Sequence, residues 1–291
     1  MREFTLRFHK AGQNADFDAE QLSLEVEKRL GKDRVVFYDP HLEQTCVKSI
    51  AWREKDLDIG RPDTEEAQAI RSMQQAVWGS ENDFLSPADI HSKSFAAGTS
   101  LLARLDEKPV GFLFGFYAFG GRQLPGSWGR KYQGNFRLES QLLGVLPQHR
   151  GCKMGFILKE IQAQEARREG IGLVHWTVDP LQYANARLNF GQLKALAFDF
   201  YAEYYPFKNE LNQMPASRIA ITWLVDSERV TRALSSSAGT AVQDLKGDKA
   251  IRRFGQDDLP LDEEPRRMAI EIPADWTALQ QDHPSCAARW R

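Results

Sequence analysis

Leu142-Leu143-Gly144-Val145-Leu146-Pro147-Gln148-His149-Arg150-Gly151-Cys152-Lys153-Met154-Gly155 decides how this chain is read. An apolar, strand-like run breaks at Pro147 into a basic, glycine-bearing turn, and Met154, Ile157, Leu158 and Ile161 then follow at helical spacing. A strand that turns straight into a helix leaves backbone N–H groups unpaired at the helix start, where the macrodipole adds partial positive charge. Small residues let a phosphate or pyrophosphate come up to the main chain there. The stretch therefore reads as a phosphate-binding connection between a strand and a helix.

The flanking sequence supplies the elements such a turn needs. Phe136 to Val145 is the strand feeding it, and Ser100 to Leu105 with Pro109 to Tyr117 form a hairpin across Asp106-Glu107-Lys108. Pro62-Asp63-Thr64-Glu65-Glu66 opens a helix, with Asp or Thr as cap and an apolar face of Ala67, Ile70, Met73, Gln74 and Val77. A second short helix is expected from Ser86-Pro87. After the turn, the helix closes on Arg167-Arg168-Glu169-Gly170, a basic last turn with a glycine cap, and Ile171 to Val178 is a buried strand. Asp179-Pro180-Leu181-Gln182 starts another helix, with glutamine in capping-box spacing. Phe190, Leu193, Ala197, Phe200 and Tyr204 extend its apolar stripe, and Ile219 to Val225 is a further strand. Alternating Phe4, Leu6 and Phe8, a helical Glu20 to Leu30, and Val35 to Phe37 make a β-α-β-like extension. Beyond the loop at Ser235-Ser236-Ser237-Ala238-Gly239, Met268 to Pro273 is a last strand. The expected organisation is an extension over residues 1–50, a central domain over 51–230, and a linker with a C-terminal strand and helix segment over 231–291.

Composition narrows the function classes. The 291 residues carry 38 basic and 40 acidic side chains, a formal net charge of -2, which argues against nucleic-acid partners. Cys46, Cys152 and Cys286 form neither a disulfide framework nor a CxxC metal motif, and the six histidines show no HExxH spacing, so no metal is expected. No apolar run approaches the roughly 20 residues of a membrane span. The expectation is a soluble cytoplasmic protein with no membrane partner.

Arg150, Gly151 and Gly155 after the Val145-Leu146-Pro147 strand end resemble the acyl-CoA-binding motif of the GNAT acyltransferases, in which Lys153 stands where a glycine is expected. A second block is more specific. His175-Trp176-Thr177-Val178-Asp179-Pro180-Leu181, Asn185-Ala186-Arg187-Leu188-Asn189-Phe190, Leu193, Ala195, Asn212 and Ser217-Arg218 ahead of Trp223 are similar to one bacterial GNAT family. Its pattern is Trp-Thr-x-Asp-Pro-Leu followed by Asn-Ala-x-Leu-Asn, and it includes amino acid N-succinyltransferases. The similarity runs from about Trp78 to Trp223, is weaker from Ile272 to Arg291, and leaves residues 1–50 uncovered. It implies an α-β-α sandwich, the GNAT acyl-CoA N-acyltransferase fold, with a central mixed, mostly antiparallel sheet and terminal extensions. The implied function is transfer of an acetyl or succinyl group from acyl-CoA to a small amine, in its sharpest form an amino acid, with no metal. The alternative is an acyl-CoA-binding sensor with a degenerate site. A homodimer is open.

The resemblance also assigns residues. The strand ending at Val145 should splay from the strand at 171–178, so that Leu143 and Val145 meet the pantetheine arm through their main chains. The amides of Arg150, Gly151, Cys152, Lys153, Met154 and Gly155 should hold the pyrophosphate, with Arg150 adding charge. At Lys153 a positive φ costs on the order of 1 kcal/mol, whereas a helical conformation leaves only its ammonium to matter; the helical conformation is expected. Glu139 is a candidate base, directly or through water, or a solvated strand residue. Asp179 is a base candidate or an N-cap, and Asn185 and Asn189 orient cofactor or backbone. Arg218 receives an acceptor carboxylate or forms a structural ion pair. His149 and His175 read as surface and strand residues. Phe190 stands where many relatives carry an acid tyrosine, so the thiolate leaves without a dedicated acid or meets Tyr183 or Tyr201.

Overall fold

Residues 49–52, 55–79, 85–91, 98–119, 124, 126–132, 136–205, 213–235, 251–252, 269–270 and 272–290 are described in the computed structural model. Strands β1 (Ser49–Trp52) and β2 (Lys55–Gly60) precede helix α1 (Thr64–Trp78). Asp63 caps α1, its carboxylate accepting from the Glu66 amide at 2.8 Å while Glu66 reaches back to the Asp63 N–H. Glu66 also pairs with Arg104, a double duty that the capping motif alone does not reveal. The expected apolar face is the buried one: Ala67, Ile70, Met73, Gln74 and Val77.

Strands β3 (Gly98–Leu105) and β4 (Lys108–Ala118) form the expected hairpin. Asp106 and Glu107 supply its two left-handed residues, at φ 49° and 65°. A short helix α2 (Gly126–Tyr132) leads to β5 (Arg137–Val145), and the central turn then opens α3 (Met154–Arg168). Strand β6 (Leu173–Val178), helix α4 (Tyr183–Ala186) with a π-helical continuation over Arg187–Gln192, β7 (Leu196–Tyr205), β8 (Ala216–Leu224) and α5 (Glu228–Ser235) complete the central part. The sheet order is β1-β2-β3-β4-β5-β6-β8-β7, and every pairing is antiparallel except β5 with β6. The mixed, mostly antiparallel sheet with flanking helices is the architecture expected.

Helix α1 packs Ile70, Met73 and Val77 on Leu102 and Phe112 at one face. Helix α3 packs Met154, Ile157, Leu158 and Ile161 on Leu101, Ala103, Leu113, Leu143 and Val145 at the other. The short helix expected from Ser86-Pro87 is a 3-10 segment, Ala88–His91. One expectation is corrected. The stripe from Phe190 to Tyr204 is not one helix: Lys194 takes a left-handed conformation, φ 54°, and the chain from Leu196 pairs with β8. Aromatic side chains favour strands, and Phe198 and Phe200 stand exposed there. The β-α-β-like extension lies outside the described residues, apart from its last two positions. Near the C-terminus β9 (Ile251–Arg252) pairs with β10 (Ala269–Ile270), within the stretch from Met268 to Pro273 expected as a strand. Helices α6 (Trp276–Asp282) and α7 (Pro284–Ala288) pack Trp276, Leu279 and Ala287 against Leu181 and Met214.

His91 gives the fold an acid-sensitive point. Its ring is fully buried, with Nδ1 3.0 Å from the Ser100 hydroxyl, and burial lowers its pKa from 6.5 to about 4 despite the charge of Asp89. The unfolded chain binds this proton below pH 6.5 and the folded chain only below about 4, so stability falls as pH drops through that window. The loss is expected to reach about 3 kcal/mol. H91Q should flatten the pH dependence of the urea midpoint between pH 6.5 and 4.

Candidate functional site

Strands β5 and β6 pair at only two positions, Leu138 with Val174 and Glu139 with His175. Beyond them β5 stays on β4 as far as Val145, and β6 stays on β8 as far as Val178. The strands therefore part into a wedge, and a bulge contributes to the parting. Phe114 lies opposite Leu142 and Phe116 opposite Glu139, so β5 carries one more residue than β4 across this step and bends. The extra residue reverses the facing of the strand: Leu138 packs with Ala163 and Ala166 of α3, and past the bulge it is Leu143 and Val145 that pack on that helix. Main-chain groups along the two inner edges need partners from whatever enters between them.

At the wide end lies the turn. Pro147–His149 form a 3-10 segment, Arg150 is extended, and Gly151 takes φ 77°. Lys153 takes φ 64° and ψ 3° and stands at the N-cap without offering a side-chain bond. This corrects the helical expectation: the chain must reverse sharply before α3, and that position is left-handed whichever residue fills it. Lys153→Gly is therefore expected to raise stability by up to about 1 kcal/mol, read as a shift in the urea midpoint. Arg150 braces the turn. Its guanidinium donates to the carbonyl oxygens of Val145 (3.2 Å) and Val77 (3.3 Å), tying the strand end to the last turn of α1. Cys152 and Met154 face the core, and the Cys152 thiol donates to the His149 carbonyl at 2.7 Å. Their contribution to a ligand is confined to the main chain.

At the narrow end is a partly buried charged group. Glu139 and His175 are the last paired residues, and their side chains meet, Glu139 Oε2 lying 2.6 Å from His175 Nδ1. Arg137 donates to the other carboxylate oxygen and to the carbonyl of Phe119. Burial raises the Glu139 pKa, but the hydrogen bond and charge of His175, followed by those of Arg137, outweigh it and hold the carboxyl below its ordinary 4.5. His175 is the strand residue expected from sequence, and its ring meets a carboxylate there. Strand alternation places it with Leu173, which packs on Tyr132 of α2, on the sheet face opposite α3. Recognising the pair from sequence needs the parallel register that sets 139 beside 175.

The other candidates lie apart from this pair. Asp179 is buried and accepts from the Leu181 amide at 2.9 Å, an Asx-type turn; Gln182 bonds Thr277 instead of completing a capping box. Arg218 lies 3.6 Å from the Asp179 carboxylate and 4.7 Å from the centre of the Tyr205 ring. Asn185 is exposed on α4, and Asn189 is buried. Phe190 packs in the cluster containing Trp176 and Leu138. Tyr183 is exposed, and Tyr201 lies on β7 against Tyr204. Among the described residues no group of His, Cys, Asp and Glu side chains could hold a metal, and no helix is long and apolar enough to cross a membrane.

No family model matches this chain, and no curated protein matches it. Solved structures do. An N-acetyltransferase of a ribosomal-protein alanine from Escherichia coli is 13% identical, over 65% of this chain and 99% of that one, with a TM-score of 0.43. Arabidopsis thaliana NAA60 in complex with acetyl-CoA is 12% identical over 59% of this chain and 99% of that one, with a TM-score of 0.47. The polyamine N-acetyltransferase of Drosophila melanogaster, which forms N-acetylagmatine, is 18% identical over 57% and 99%, with a TM-score of 0.44.

Proposed function

We propose that this chain is an acyl-CoA-dependent N-acyltransferase that moves an acetyl or succinyl group to a small amine. The observation that carries the reading is the wedge between β5 and β6, which opens onto the glycine turn at one end and closes on Glu139–His175 at the other. The parts suit the group they would hold. The inner edge of β5 from Ser140 to Val145 offers main-chain partners to an extended arm, and the unpaired amides opening α3 suit a pyrophosphate.

Amine acylation asks little else of a protein. The two reactants must be held in line, and the amine must lose a proton as it attacks. Glu139, held ionised by His175 and Arg137, is a weak proton acceptor by itself; its bond to Nδ1 fixes the imidazole so that Nε2 is the basic nitrogen. The pair thus acts as one base, His175 receiving the proton and Glu139 stabilising the resulting charge. This geometry favours Glu139 over Asp179, whose carboxylate is engaged by its own turn and by Arg218.

The finer reading, an amino acid N-succinyltransferase of the cytoplasm, is supported by the Trp176-Thr177 and Asn185-Ala186 block. Incubating the full chain with acetyl-CoA or succinyl-CoA and each amino acid, and following free thiol, tests it. Release with one donor and one acceptor class is expected; no release with any pair overturns catalysis. One observation favours the sensor reading: Lys153, and Lys194 where the similar family's Lys-Leu-Gly-Ala pattern has glycine, both take positive φ. CoA binding without thiol release, tightened by Lys153→Gly, would establish that reading.

A further inference from the structure

Lys159 occupies the apex of the wedge. It lies one and a half turns into α3 and is buried, yet its ammonium meets no carboxylate among the described residues. Its Nζ donates to the Ser140 hydroxyl at 2.6 Å and to the Gln162 side-chain oxygen at 3.3 Å, and it sits 3.5 Å from the centre of the Trp176 ring. Ser140 and Trp176 are the first residues past the last pair on β5 and β6. One side chain therefore touches both strands where they part, on the α3 face of the sheet, while Glu139–His175 lies at the adjacent pair on the opposite face.

A buried cation satisfied only by neutral dipoles and a π face is one anion short. Trp176 is the better ring for such a contact, but no ring replaces a counter-ion. Burial accordingly pushes the ammonium well below the usual lysine range, so that it gives up its proton readily. The reaction proposed above generates one anion, the sulfur freed when the thioester breaks. Phe190, packed in the same cluster as Trp176, has no proton to offer it.

We propose that Lys159 is the acid for the leaving sulfur, an inference that rests on the acyl-CoA reading. As the new C–N bond forms and the C–S bond breaks, the electron pair of the C–S bond goes to sulfur, and sulfur takes a proton from Lys159 Nζ. The proton of the attacking amine goes to Glu139–His175. Lys159 is left as a neutral amine and regains a proton from solvent after the thiol departs. The residue is absent from every motif discussed above because a lysine inside an amphipathic helix reads as a solvated position.

The test is binding, not turnover. Affinities of the full chain for CoA and for desulfo-CoA, which lacks only the sulfur, are measured by titration calorimetry for the natural protein, K159M and K159R. The natural protein should prefer CoA by about tenfold or more, the scale of a charge-assisted hydrogen bond. K159M should bind desulfo-CoA normally and lose the preference, and K159R should keep part of it. Unfolding of K159M at or above the natural temperature is expected, since an apolar chain of similar length removes an uncompensated charge. Equal affinities in the natural protein, a comparison that needs no variant, would overturn the role of Lys159 and leave the acyl-CoA reading standing. So would a preference retained in K159M. Binding of neither ligand overturns both.

Discussion

Glu139→Gln is expected to lower kcat at least a hundredfold while moving KM for acyl-CoA less than threefold, the lower range for loss of a general base. The amide keeps an oxygen for the His175 Nδ1–H, so the side chains stay in place, but the charge that stabilises a protonated imidazole is gone. His175→Gln removes the proton acceptor itself, and its loss should be as large or larger. The double variant should be little worse than the more damaged single one, because the two side chains act as one unit. Additive losses would separate them and return Glu139 to acting alone. Stability adds an independent check. Glu139 has a lowered folded-state pKa, so its contribution is complete above the ordinary carboxylate value and is lost as pH falls below 4.5 through the folded value. The glutamine variant should show a shallower loss of stability on the acid side and little difference in shape at neutral pH.

The turn at 145–155 was legible because its signals are local: a proline that ends a strand, glycines at 151 and 155, and an apolar stripe at helical spacing. The same holds for the Asp63–Glu66 cap and the Asp106-Glu107 hairpin. What failed was periodicity across a boundary. Phe190, Leu193 and Ala197 continue a helical stripe by accident, and the left-handed residue that ends it is Lys194, a residue type that rarely adopts that conformation. The site was harder still, since its parts meet through register. Position 139 reaches 175 only because β5 and β6 run parallel there, and Ser140 reaches Lys159 only because the bulge has not yet reversed the strand. No spacing along the chain encodes those neighbours.

Gly155→Glu should abolish CoA binding, with a loss of a hundredfold or more, while leaving the fold as stable as before. The two effects have one cause. Gly155 is the second residue of α3, and a Cβ built there meets only Leu143 Cδ2 and Leu188 Cδ2, each at 3.7 Å, which is ordinary contact. A side chain therefore fits. A carboxylate in a first helical turn is favoured by the macrodipole, and replacing glycine in a helix restores propensity, so both local terms favour the variant. The same carboxylate competes for the amides assigned to the pyrophosphate and repels its charge. Losing charge-assisted bonds and adding repulsion amounts to on the order of 3 kcal/mol. Gly155→Ala separates charge from volume: it should weaken binding by less than tenfold, and its melting temperature should not fall. Calorimetric titration with CoA and thermal unfolding of both variants read the two quantities separately. Binding within threefold of the natural chain in Gly155→Glu would remove the pyrophosphate from this turn, and with it the placement of the acyl group in the wedge.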